Sequence, residues 1–165
     1  MERTKIRDNV STKTKKFEDL LPSDFVHLHA HTYHSLLDGL TKIDALTKSV
    51  KENGMEAVAI TDHGTMSGTI EFYTQAKKDG IKPIFGMETY VAARTRFDRD
   101  PNHDKPRYHL TLLAKNEAGW KNLSMLSTKA NLEGMYYKPR IDHDLMKECS
   151  EGIICLSGCA GSEIS

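Results

Sequence analysis

The stretch Ala57-Val58-Ala59-Ile60-Thr61-Asp62-His63-Gly64 decides how the chain is read. An unbroken apolar run predicts a short buried strand over Ala57–Thr61, and the chain leaves it directly into Asp-His-Gly. Helical patterns flank it. Thr41–Asn53 reads as a helix with Thr41 as N-cap and Asp44 completing a capping box; Ile43, Leu46 and Val50 form its apolar stripe, and Gly54 ends it. Ser67–Lys78 reads as a second helix, closed by Gly80. Working outward, Phe25–His31, Ile81–Ala92, Tyr108–Ala114 and Gly152–Leu156 read as strands. Asn116 caps a helix to about Asn131, with Trp120, Leu123 and Leu126 or Ser127 inward, and Asp142–Cys149 is a short helix. Residues 94–107 are charged, hold two prolines and read as a loop. Strand–helix alternation implies an α/β fold on a parallel sheet, either doubly wound or closed into a barrel. In both, chemistry gathers at the carboxyl ends of the strands.

Composition bounds the function. The chain has 165 residues, enough for one domain with a real core. Its 23 basic residues balance 23 acidic ones, which argues against a polybasic module gripping nucleic acid by charge alone. No apolar run is long enough to cross a membrane, and the first residues lack the apolar core of a signal peptide. Residues 1–22 are polar and read as a flexible tail, with a short helix near Phe17–Leu21; the folded part begins at residue 23. The three cysteines, Cys149, Cys155 and Cys159, form neither a disulfide framework nor a zinc-ribbon pattern, and fit a reducing cytoplasm.

Candidate ligands follow the strands. His27, His29 and His31 alternate along one strand and share a face, so two or three imidazoles could meet one metal ion; the bland reading is a polar strand face. Asp38 either joins that site or starts the Leu-Leu-Asp-Gly turn. Asp62 and His63 stand at a strand's carboxyl end, or Asp62 merely caps the next helix. Glu88 lies within an apolar strand, where a carboxylate must be paired, exposed or metal-bound. His109 opens a strand and Cys159 follows the last one. Their recurrence strand after strand is what one barrel mouth would gather.

These residues, in order, resemble a known family. His29-Ala30-His31-Thr32, Ser35-Leu36-Leu37-Asp38-Gly39, Thr61-Asp62-His63-Gly64, Gly86-Met87-Glu88 and Leu156-Ser157-Gly158-Cys159 are similar to the motifs of a PHP (polymerase and histidinol phosphatase) domain. Glu71-Phe72-Tyr73, Gly80-Ile81-Lys82-Pro83-Ile84, His109 to Lys115 and Lys138-Pro139-Arg140-Ile141-Asp142 resemble the branch that opens bacterial replicative DNA polymerase subunits. The short span between Glu88 and His109 resembles the uninterrupted type, without an inserted exonuclease.

The resemblance implies a distorted (β/α)7 barrel with a metal cluster at its mouth. The implied ligands are His29, His31, Asp38, His63, Glu88, His109 and Cys159, with Glu88 as a bridging carboxylate and His27 outside the set. It implies a divalent cluster, zinc or manganese, with magnesium or iron admitted by the carboxylates. The implied activity is metal-dependent phosphoesterase chemistry, in the form of a 3′–5′ proofreading exonuclease, within a bacterial cytoplasmic DNA-directed DNA polymerase. The implied partners are the primer 3′ end, the remaining polymerase domains and other replisome subunits, with no membrane. A non-catalytic scaffold and a free-standing histidinol-phosphatase-like enzyme are the competing readings. The family's late Asp-x-His motif is missing and about five strands are counted, so the chain reads as an N-terminal portion, inactive and poorly soluble alone. Arg94, Arg96, Arg107 and Arg140 are candidate contacts for substrate phosphates, with Arg99 and Lys105 nearby, or the 94–107 loop is simply solvated, with Asp98, Asp100 and Asp104 interspersed; Tyr136 and Tyr137, with Arg140, either guide a single strand or pack.

Overall fold

The computed structural model describes residues 16–36 and 38–163. The expected tail therefore falls mostly outside the described residues. Within it, short 3-10 turns form at Phe17–Asp19 and Pro22–Asp24.

In chain order the elements are α1 (Ile43–Glu52), β1 (Ala57–Ile60), α2 (Thr69–Asp79), β2 (Lys82–Ala92), β3 (Arg107–Ala114), α3 (Glu117–Leu132), β4 (Met135–Tyr136), β5 (Lys138–Ile141), α4 (His143–Glu148) and β6 (Ile153–Leu156). The fold is mixed α/β, a part-barrel. Its sheet runs β4-β5-β2-β3-β6, with β1 on β2.

Helix ends follow local chemistry. Asn116 accepts from Gly119 N–H at 3.0 Å and Asp142 from Leu145 N–H at 2.9 Å, each satisfying an otherwise orphaned first-turn donor. The expected Thr41 cap does not form. Lys42 is the N-cap of α1 and makes no side-chain cap bond, while Asp44 accepts from the adjacent Ala45 N–H. Ile43 is buried in the core, but Asp44 and Ala45 of this turn are exposed.

Two expectations about strands are corrected. Phe25–His31 is extended but touches β1 only through one bridge, His27 to Val58, and through bonds from Ala59 N–H to His27 and Thr61 N–H to Ala30. The sheet is also not all parallel. β1, β2 and β5 run one way, β3 runs antiparallel to β2, and β6 antiparallel to β3 shares the direction of β2. The reason is the 93–106 connection. It contains no helix, so it returns the chain as a wide hairpin rather than a crossover. The short β4–β5 hairpin was not expected. It turns at Tyr137, a non-glycine residue at φ +61°, inside a segment too short to show a period.

β2 organises everything else. Its first half pairs with β1, from Ala57–Lys82 to Ile60–Phe85, and its second half pairs along the same edge with β5. Between these, His63 bridges to Glu88. One face of the sheet carries Met87, Val91, Leu110 and Leu112 against Leu123, Leu126 and Ala130 of α3 and Leu145 of α4. A second core joins Ile43, Val50, Phe72 and Ala76 to Val58 and Ile60 of β1. Burying such side chains contributes about 1.5–3 kcal/mol each, which leaves the opposite sheet face free to carry polar groups.

Candidate metal centre

The polar face is set by strand period. Glu88 and Tyr90 alternate with Met87 and Val91 on β2, and their β3 partners are Thr111 and His109. Because β3 is reversed, its first residues lie at the carboxyl end of the parallel strands. That puts His109, at a strand's start, beside residues at strand ends.

Glu88 is the hub, only 2% exposed. His29 Nε2 and His109 Nδ1 lie 3.7 and 3.3 Å from its Oε1, and His31 Nε2 lies 3.5 Å from Oε2. His63 Nδ1 approaches Oε2 at 2.5 Å, while its Nε2 lies 2.9 Å from Asp38 Oδ2. Cys159 Sγ lies 3.6 Å from His109 Nδ1. The structure thus brings His29, His31, His63, Glu88, His109 and Cys159 together, with Asp38 reached through His63. The His31 and His63 rings stack 4.1 Å apart.

Surrounding groups aim these donors. Thr61 and Thr111 hydroxyls sit 3.2 and 2.9 Å from His29 Nδ1, turning its Nε2 toward Glu88. Buried Asp62 is not in the donor cluster. It accepts from Thr32 N–H, Thr32 Oγ1 and Ser35 Oγ at 2.6, 2.8 and 2.7 Å, and Ser35 Oγ in turn contacts His31 Nδ1 at 3.3 Å. Asp62 therefore holds the 32–35 turn that carries the loop to Asp38. Sequence reasoning left its role open and missed Thr32, Ser35, Thr61 and Thr111. Thr111 had one available signal: it stands two residues from His109 on one strand face.

The donor set fits a divalent metal. Two groups place their ligand atoms within 4.8 Å of one another: His29, His31 and Glu88, and Glu88, His109 and Cys159. Glu88 belongs to both, as a bridging carboxylate would. His63 Nδ1 and Glu88 Oε2 are buried and face each other without a hydrogen bond, an unfavourable pairing that a shared cation relieves. Burial holds the His31 pKa below the ordinary histidine value, reinforced by the neighbouring His63, so its imidazole stays neutral and able to ligate.

Three of the candidate arginines are engaged within the protein. Arg94 forks onto Asp104 at 2.8 and 2.6 Å. Arg96 binds Glu133 at 2.7 Å and Asp142 at 3.0 Å. Arg140 is fully buried and donates to the carbonyls of Gly134, Asp104, Arg96 and Asp98. These guanidinium groups tie the 93–106 loop to α3, β5 and α4, because a loop without regular structure must satisfy its backbone through side chains. Arg99 reaches Glu133 O at 3.3 Å. Arg107 remains exposed beside the Tyr90 ring.

A family model described as "PHP domain" matches residues 27–165. The chain belongs to the PHP domain family. The DNA polymerase III subunit alpha of Treponema pallidum is 50% identical over 141 residues, 85% of this chain and 12% of that protein. Those of Aquifex aeolicus and Thermus aquaticus are 51% and 52% identical over 145 and 144 residues. This PHP chain spans about 12% of the length of these relatives. Among solved structures, an amidohydrolase from Chromobacterium violaceum, with sulfate bound, gives a TM-score of 0.47 at 21% identity over 64% of this chain and 32% of that one. No helix among the described residues is long and apolar enough to cross a membrane.

Proposed function

We propose that this PHP domain, from residue 23 on, is the metal-dependent phosphoesterase part of a bacterial DNA polymerase III alpha subunit, acting as a 3′–5′ exonuclease that removes mismatched nucleotides. The observation that carries the reading is Glu88. A carboxylate buried among four imidazoles and a cysteine sulfur, and counted in both donor groups, has the form of a bridge between two cations.

His29, His31 and Glu88 would hold one ion, and Glu88, His109 and Cys159 another, with His63 and Asp38 completing the ring. Imidazole and thiolate favour zinc, and the carboxylates also suit manganese. When bound, such ions lower the pKa of a coordinated water and offset charge on a phosphodiester. The chain's own part is to orient and exclude. Thr61 and Thr111 fix the His29 ring, and Asp62 fixes the turn bearing Asp38. A cleft of about 420 Å³ lined by His34, Asp38, His63, Tyr90 and Lys138 gives access from one side. The partners of this reading are a DNA primer end, the remaining domains of the subunit and the replisome, in the cytoplasm.

The test joins metal analysis to hydrolysis by the full-length protein. The expected result is two or more metals per chain and removal of a mismatched 3′ nucleotide, both lost in His63→Ala while the fold persists. A protein that holds the metals, cleaves nothing, and unfolds on His63→Ala would refute catalysis in favour of a structural metal.

A further inference from the structure

Two cations stand over one ring at the edge of the donor cluster. Lys138 Nζ lies 5.6 Å and the Arg107 guanidinium carbon 5.8 Å from the centre of the Tyr90 ring. That ring is 6.0 Å from His63 and 5.1 Å from His109. Unlike Arg94 and Arg96, neither cation has a carboxylate partner among the described residues. Arg107 donates only to the Lys105 carbonyl, at 3.2 Å.

The backbone next to Lys138 is held in place. Lys138 is half-buried in the wall of the cleft, with Asp38 and His63 in the same lining. The next residue, Pro139, packs so closely on Gly64 that a Cβ there would lie 2.7 Å from its Cγ. The residue after that, Arg140, is tied to four carbonyls. A cation held at the cleft wall without a carboxylate partner among the described residues is open to an anionic ligand.

We infer that Lys138, supported by Arg107, anchors a backbone phosphate of single-stranded DNA next to the one being cleaved. This rests on the phosphoesterase reading and adds a positioning residue to it. Lys138 is a point charge on a flexible stem, so it reads phosphate and not base. Each lost phosphate contact on a single strand reduces the salt slope by about 0.7, equivalent to about fivefold in affinity at 0.1 M salt.

The experiment uses the full-length protein that carries this chain. Binding of a fluorescent oligothymidylate is followed by anisotropy across salt concentrations, without added metal. Lys138→Ala should weaken binding about fivefold at 0.1 M salt and flatten the slope by about 0.7. Lys138→Arg should restore both, and Arg107→Ala should shift them in the same direction by less. Metal content by elemental analysis and far-ultraviolet circular dichroism check that the donor cluster and fold persist; Lys138→Gln is the substitute if alanine unfolds the hairpin. Unchanged slope and affinity in a folded variant, or no oligonucleotide binding by the parent protein, overturns the anchor. Hydrolysis separates the two readings. A Lys138-dependent salt slope without cleavage in the full-length protein upholds the anchor and sinks the phosphoesterase, and cleavage with a KM indifferent to Lys138 does the reverse.

Discussion

Replacing Arg140 by methionine should unlock the wall of the cleft while leaving the donor cluster's own residues untouched. Arg140 is 0% exposed and makes four hydrogen bonds to carbonyls, at 3.1, 3.3, 3.1 and 2.8 Å. Hydrogen bonds from a charged group contribute about 1.5–3 kcal/mol each. The carbonyls of Arg96 and Asp98 are only partly buried and regain water when the guanidinium goes. Those of Gly134 and Asp104 are buried and do not. Counting the two buried bonds alone gives about 3–6 kcal/mol, in line with the 3–5 kcal/mol typical of removing one member of a buried charged group. Methionine fills much of the volume, so the cavity contribution is small. The assay is peptide-resolved hydrogen exchange, which reads local opening within a larger protein. Amides of 94–106 and 134–141 should lose about two to more than three orders of magnitude in protection, since each 1.4 kcal/mol is tenfold, while those of α1 and β1 stay unchanged. A loss below tenfold would refute the reasoning. It would mean that Arg94–Asp104 and Arg96–Asp142 hold the loop without Arg140.

Other perturbations reach the centre more directly. Glu88→Gln keeps the shape but removes the bridging charge, so bound metal should fall by at least one ion per chain by elemental analysis, with circular dichroism unchanged. Gly64→Ala meets both a left-handed backbone at φ +61° and the 2.7 Å approach to Pro139; it should lower thermal stability, by about 1–3 kcal/mol in calorimetry. The Arg94 hydrogen bond holds the Asp104 pKa down at about 2, below the ordinary aspartate value near 3.9. A depressed folded-state pKa contributes stability above about pH 4 that fades as pH falls toward 2. Protection of residues 98–104 should therefore drop across that window, and Asp104→Asn should lower it at neutral pH and flatten the dependence. Chelation should lower the midpoint of thermal unfolding, because a ligand that binds only the folded state at a hundred times its Kd adds about 2.7 kcal/mol.

The donor residues were legible because metal chemistry restricts residue types and strands impose a period of two. His29 and His31 share a face for that reason, and the apolar run of β1 delivers His63 to a strand end. Asn116 and Asp142 were legible as helix caps because capping is local. Thr41 is not the cap because the helix starts one residue later, after Lys42, and the Thr41 carbonyl instead accepts from Tyr33 N–H, a partner eight residues back. Tyr137 and its hairpin were invisible because two-residue strands carry no periodic signal.

What the sequence determined by itself was the inventory: the ligand types, their order and the α/β alternation, all set by neighbours a few residues apart. What only the tertiary structure decided was direction and partnership. The helix-free 93–106 connection reverses β3, and that reversal carries His109 from a strand's beginning to the face of Glu88. Arg94, Arg96 and Arg140 look like phosphate contacts in sequence, yet the same loop needs them to satisfy its carbonyls and carboxylates. Lys138 and Arg107, with no such demand on them, stand by the Tyr90 ring instead. An arginine's role depends on which acceptors the fold leaves unpaired, and those acceptors lie six to 46 residues away along the chain.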